Sequence, residues 1–158
     1  MKREHLYKAV MAGLGGGLGI FLLSAFSNWH DVVLLMAPFG ASCVLLFSVP
    51  ASPLSQPLNV VGGHLVSSVI GVLLVLLAAP SPLLIAFGVA LAIALMSLMN
   101  VTHPPAGADP IVIMLGAKGF SFLLFPVLTG SLSLVLTACL FHRLSGTAQY
   151  PLIHKTQI

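Results

Sequence analysis

Asn100-Val101-Thr102-His103-Pro104-Pro105-Ala106-Gly107-Ala108-Asp109-Pro110 is the stretch on which the reading of this chain turns. Two adjacent prolines push the residues before them out of the helical region, so the chain is extended up to His103. Gly107 permits a tight turn. Asp109 followed by Pro110 is a helix-start pair, with Asp as the cap and Pro at the first helical position. A short helix is expected over residues 111–117. In a soluble protein this would be an ordinary surface loop.

Its surroundings are not those of a soluble protein. Of 158 residues, 58% are hydrophobic and 6% carry a formal charge; soluble domains carry about 25%. Mean hydropathy is +1.11. Between residues 9 and 142 the formal charges are Asp31, Asp109 and Lys118. These numbers exclude a soluble enzyme, a nucleic-acid binder and a disordered chain, and leave an all-α integral membrane protein.

Six apolar stretches cover about 9–27, 32–49, 58–79, 83–99, 111–117 and 120–142. A full helical crossing needs about 20 residues. The first, third, fourth and sixth meet that need. The fifth is too short, and the second is broken by Pro38 and Gly40, since proline removes a backbone donor that lipid cannot replace. The expected architecture is four full transmembrane helices plus two broken, half-helix segments. Lys2, Arg3, Lys8, Arg143 and Lys155 put both termini in the cytoplasm, with a polar tail over 143–158. The link from Asn28 to Asp31 is then external, with Trp29 as an interfacial anchor. Four crossings or six satisfy this topology. The expected location is the inner (plasma) membrane of a bacterial-type cell, with the first segment retained as a helix and not cleaved as a signal.

An offset of 67 residues superposes Pro38-Phe39-Gly40-Ala41-Ser42 on Pro105-Ala106-Gly107-Ala108-Asp109, and Val60–Leu65 on Val127–Leu132. Two blocks in one register point to an internal duplication, about 9–79 and 83–142, within a single domain spanning 1–158. Paired broken segments in two repeats are the sequence pointer to a transporter's binding site. Half-helices that begin inside a membrane present free N–H groups and partial positive charge, which suits a small anion without any lysine. In the first repeat Ser42 takes the cap position and residues 43–49 the helix. Repeats crossing three times each are inverted; repeats crossing twice are parallel.

The candidate site is therefore Pro38, Gly40, Ala41 and Ser42 with Pro104, Pro105, Gly107, Ala108 and Asp109, joined by His103, His64 and Gly63. Asp109 either caps its helix or carries a proton near the substrate, because a charged residue in mid-membrane is rarely idle. His103 either titrates and donates to an anion or holds the extended segment by a structural hydrogen bond. His64 has Ser131 as its match in the second repeat, so it either lines a shared polar cavity or is an interfacial or helix-bonded histidine. Asn59, Asn100 and Thr102 are expected as boundary caps. Ser67, Ser68, Thr129, Ser133 and Thr137 are expected to bond back to their own helices.

Five glycines crowd the first helix, and the Gly13/Gly17 and Gly15/Gly19 pairs are GxxxG spacings. They serve either packing within one chain or a homo-oligomer. Cys43 and Cys139 lie in apolar stretches as inert hydrophobes. No metal spacing, cofactor motif or nucleophile–base pattern is present, so neither a cofactor nor enzymatic activity is expected.

The 100–110 stretch resembles the signature of the HPP family of integral membrane proteins, named for its His-Pro-Pro. Residues 37–42 and 55–64 are also similar to that family's patterns, and the likeness runs from about 9 to 142. The resemblance implies four transmembrane helices. It also implies transport of a small inorganic anion, nitrite or a similar oxyanion, since some members are linked to nitrite transport. Other members carry a C-terminal CBS pair, which these 158 residues do not contain. The alternative function is a non-transporting membrane scaffold or sensor subunit.

Overall fold

The computed structural model describes residues 3–30 and 33–152, with the side chains of Trp29 and His30 not described. The expectations placed on Lys2, Trp29, Asp31 and Lys155 lie outside what is described. The described residues form helices joined by turns and short extended links, with no strand among them. Helix α1 is Arg3–His30, α2 Pro38–Ser48, α3 Pro57–Leu77, α4 Pro82–Leu98, α5 Asp109–Leu115 and α6 Thr129–Ser145. Short 3₁₀ turns occupy Pro53–Ser55 and Pro104–Ala108, and the segment Leu123–Leu128, kinked at the extended Phe125 (φ −129°, ψ 113°), feeds into α6.

The boundaries follow from local chemistry. Proline opens α2, α3 and α4, where its missing N–H costs nothing. The Ser81 hydroxyl accepts from Leu84 N–H at 3.2 Å and caps α4. Helix α4 ends in a Schellman motif. Asn100 takes a left-handed φ of 56°, Val101 N–H reaches Met96 C=O, and Asn100 N–H reaches Ser97 C=O. Helix α5 ends the same way through Ala117, with φ 46°. Asn100 is thus a boundary residue, as expected. Asn59 is not; it sits inside α3 and donates from Nδ2 to Thr102 C=O at 3.0 Å.

Among the described residues three helices are long and apolar enough to cross a membrane: residues 3–28 of α1, α3, and Leu123–Ser145. Helix α4 has 17 residues, or about 26 Å at 1.5 Å per residue, against a hydrocarbon core of about 30 Å. Helices α2 and α5 have 11 and 7 residues, about 16 and 10 Å long, and cannot cross. The expected start of the first repeat's short helix at 43 is corrected. Pro38 serves as its first residue, so Gly40 and Ser42 lie inside α2 and Ser42 is no cap.

Helix α2 packs between α1 and α6, and α5 packs between α3 and α4, while α3 also touches α6. Glycines mark the close crossings. The ring of Phe47 on α2 lies over Gly15 of α1, and that of Phe39 lies over Gly130 of α6. A Cβ at Gly71 of α3 would meet Pro110 Cα of α5 at 3.0 Å. The α1 glycines therefore divide. Gly15, Gly16 and Gly19 face the chain's own interior, whereas Gly13 and Gly17 have open space beside them. The outer surface carries large apolar side chains such as Leu77, Leu83, Leu98 and Leu144, as a lipid-facing wall requires. Helix α6 runs on to Ser145, and Tyr150 folds back into the body, where its hydroxyl donates to Ser55 C=O at 2.9 Å.

Candidate functional site

Helix α3 presents His64, Ser67 and Ser68 on one face, three and four residues apart. That face meets both broken segments at once. His64 Nε2 lies 2.9 Å from Ser42 Oγ of α2, and His64 Nδ1 lies 2.8 Å from Oδ2 of Asp109, the first residue of α5. Ser42 Oγ also lies 2.9 Å from His103 Nε2. His103 Nδ1 donates to Leu54 C=O at 2.8 Å. The result is one continuous line, Asp109–His64–Ser42–His103–Leu54, drawn from five separate parts of the chain. Ser42, His64, His103 and Asp109 are each 0% exposed.

The surroundings hold the line in place. Ser68 Oγ donates to Asp109 Oδ2 at 3.1 Å, and Ser67 Oγ donates to Ala106 C=O at 2.6 Å. The expectation that these two serines bond within their own helix is therefore corrected. They tie α3 to the second broken segment, because the His64 face is turned toward it. The edge of Phe39 stands perpendicular to the His64 ring, 5.2 Å between centroids, and the two imidazoles meet edge-on at 5.0 Å. A Cβ at Gly63 would come within 2.7 Å of His103 Cβ and 2.9 Å of Val101 C=O. Glycine is what lets the extended segment before Pro104 lie against α3.

Asp109 does not cap its helix. Its carboxylate turns away from the α5 backbone and toward α3, and no side-chain cap is made at that end. Oδ1 of Asp109 is a buried side-chain atom without a hydrogen-bond partner among the described residues. Of the two roles open to His103, the structure contains the structural hydrogen bond, to Leu54. Ser131, the expected match of His64, is buried but donates to Leu128 C=O at 3.1 Å in its own segment. Ser133 and Thr137 bond back within α6, as expected, whereas Thr129 reaches Leu124 C=O in the segment before the kink. Of the candidate residues, Pro38, Ser42, Gly63, His64, His103, Pro105 and Asp109 are buried together. Gly107 and Ala108 are half-buried, and Gly40, Ala41 and Pro104 are exposed on the outside of the two segments.

Asp, His and Ser in this order are the arrangement of a hydrolytic triad. Ser42 lacks what a nucleophile needs. Its oxygen already faces His64 Nε2, His103 Nε2 and, at 3.3 Å, Pro38 C=O, so no direction is left for a substrate carbon. The arrangement suits holding and passing a proton. Sequence reading misses Ser67, Ser68 and Leu54 as partners; only the spacing of the two serines from His64 signals them.

A helical body with an apolar exterior and a polar line sealed inside it defines an integral membrane protein. The chain belongs to the HPP family: the model of that family's transmembrane region matches residues 1–151. It is also similar to two transmembrane proteins of Dictyostelium discoideum. One is 39% identical over 75% of this chain and 44% of its own length. The other is 37% identical over 94% of this chain and 52% of its own. The chain spans about half the length of the curated relatives it matches. No solved structure matches.

Proposed function

We propose that this chain is the membrane part of a carrier for a small inorganic anion, nitrite before others, and is not an enzyme. The observation that carries the reading is the convergence of both P-x-G-A segments on one buried Ser–His–His–Asp line. Polar residues sealed in a membrane body mark transport pathways. The anion would bind where Ser42, His64 and His103 meet Pro105 and Gly107, once the two segments part; nitrite comes from the family resemblance.

The proposed architecture is four crossings, α1, α3, α4 and α6, in two repeats. An offset of 67 carries α2 onto residues 105–115 and α3 onto 124–144, next to the observed Pro104–Leu115 and Leu123–Ser145. The packing agrees. Helix α2 touches α1 and α6, and α5 touches α4 and α3, which are the corresponding helices under that offset. Halves that cross twice each are parallel repeats. The basic residues near the ends favour cytoplasmic termini in a plasma membrane. The open face at Gly13 and Gly17 leaves room for a second copy.

The test is nitrite uptake into liposomes at neutral pH, where the ionised form does not cross lipid unaided. Uptake above empty liposomes is expected. Equal uptake overturns the carrier and decides for the scaffold or sensor reading, which the complete burial of the four side chains favours.

A further inference from the structure

We infer that Asp109, His64, Ser42 and His103 form a binding site for one proton. Its use as the ion coupled to anion movement rests on the function proposed above; the site itself rests on counting hydrogens.

Leu54 C=O can only accept, so His103 Nδ1 must carry a hydrogen. A neutral His103 therefore offers a bare Nε2 to Ser42. If Asp109 is ionised, Oδ2 can only accept, so His64 Nδ1 must also carry a hydrogen. A neutral His64 then offers a second bare Nε2 to the same hydroxyl. Ser42 has one hydrogen. It cannot donate to two nitrogens, each 2.9 Å away. One contact would set lone pair against lone pair between side chains that are fully buried, where such a mismatch is costly.

A single added proton removes the conflict. It resides either on Asp109, which then donates to His64 Nδ1, or on His64 as the partner of ionised Asp109. In both forms His64 Nε2–H donates to Ser42, and Ser42 gives its one hydrogen to His103 Nε2 at 2.9 Å in preference to the longer contact with Pro38 C=O at 3.3 Å. Every bond in the line then has one donor and one acceptor, and the four residues together carry no net charge. A neutral unit is the form that a membrane interior favours. The proton belongs on the His64 side because only that imidazole faces a carboxylate. A second proton, on His103, would leave a buried cation without a partner.

Among the described residues no further ion pair reaches the site; the ion pairs are Lys8 with Glu4 and His64 with Asp109. Cys43 on α2 faces Gly16 and Gly19 of α1. On α6, His142 Nε2 meets Leu46 C=O at 2.9 Å. Tyr150 donates to Ser55 C=O. Lys118, after α5, is exposed. Ser67 and Ser68 on α3 do not titrate, and Ser68 donates to Asp109.

The experiment is nitrogen-15 NMR of histidine-labelled protein in lipid nanodiscs at neutral pH. His5, His30 and His154 are replaced by glutamine, and His142 is identified by H142Q, so that the four residues stay untouched. A hydrogen on Nε2 of His64 and a bare Nε2 on His103 are expected. Bare Nε2 atoms on both rings overturn the proposal, and so does a hydrogen on His103 Nε2 with none on His64. Liposome uptake with an internal pH dye is the second arm. The protonated His64 without nitrite uptake upholds the proton site and overturns the carrier. Nitrite uptake with both Nε2 atoms bare does the reverse.

Discussion

Nδ1 of His64 lies 2.8 Å from Oδ2 of Asp109, with both side chains fully buried. The pair joins α3 to the start of α5, so its loss is felt by the fold as well as by the site. Asp109→Ala removes one partner and leaves the His64 Nδ1 position and the Ser68 hydroxyl without theirs. Breaking a buried pair from one side costs about 3–5 kcal/mol. Asp109→Asn keeps the volume and can donate from its amide to a bare His64 Nδ1, which imitates the protonated carboxyl. Thermal unfolding in detergent should show a large drop for the alanine variant and a small one for the asparagine variant. Equal losses would mean that the carboxylate charge, and not the hydrogen-bond line, holds this contact.

Much of this architecture is legible in the amino-acid sequence. Pro57 and Pro82 open helices where the apolar runs begin, Asn100 closes one, and the short stretch after Pro110 is a short helix. His64, His103 and Asp109 stand out because polar groups are rare in so apolar a chain. Their mutual contacts are not legible. Residues 42, 64, 103 and 109 share no helical spacing, and only the tertiary fold sets two imidazoles against one hydroxyl. Asp109 reads as a cap because Asp before Pro is a helix-start pair. The stronger demand, a donor for a carboxylate sealed away from water, turns it to His64 instead. Ser42 reads as a cap because the offset of 67 sets it on Asp109, and the helix begins four residues earlier because Pro38 is itself a good first residue.

Gly63 and Gly13 are both helical glycines and should respond to alanine in opposite ways. At Gly63 the new methyl meets His103 Cβ at 2.7 Å and the Val101 carbonyl at 2.9 Å. Backbone atoms cannot step aside cheaply, so Gly63→Ala should destabilise by about 1–3 kcal/mol and shift the His103 imidazole resonances. At Gly13 there is nothing within 4 Å, and alanine should be neutral or stabilise the helix by about 0.5–1 kcal/mol. Melting of the two variants in the same detergent checks the pair. A strong loss at Gly13 would show that its open face is covered by another chain.

Ala117 holds a left-handed φ of 46° so that Lys118 N–H can reach Ile113 C=O at 3.0 Å and Ala117 N–H can reach Met114 C=O at 3.3 Å. An L-residue in that conformation costs about 1–2 kcal/mol, which glycine avoids. Part of the gain is cancelled by glycine's greater freedom in the unfolded chain. Ala117→Gly should therefore raise the melting temperature modestly, and Ala117→Val should lower it. A glycine variant less stable than wild type would rule out this ending for α5.

Tyr150 lies beyond α6 and donates to Ser55 C=O at 2.9 Å, next to the turn whose Leu54 carbonyl receives His103. Burial pushes its phenol above the ordinary tyrosine value, with Cys139 adding to the rise. The sign follows from linkage. The folded state holds the phenol proton more tightly than the unfolded one, so this contribution is complete below about pH 10, the unfolded value. It is lost progressively as the pH rises from there toward the folded value. Tyr150→Phe should cost about 0.5–1.5 kcal/mol at neutral pH, the net worth of one hydrogen bond, or somewhat more with the Ser55 carbonyl left unpaired. It should also flatten the alkaline fall in stability. Melting curves of wild type and Y150F at neutral pH and above pH 10 check both statements. Parallel alkaline declines would show that Tyr150 does not set this dependence.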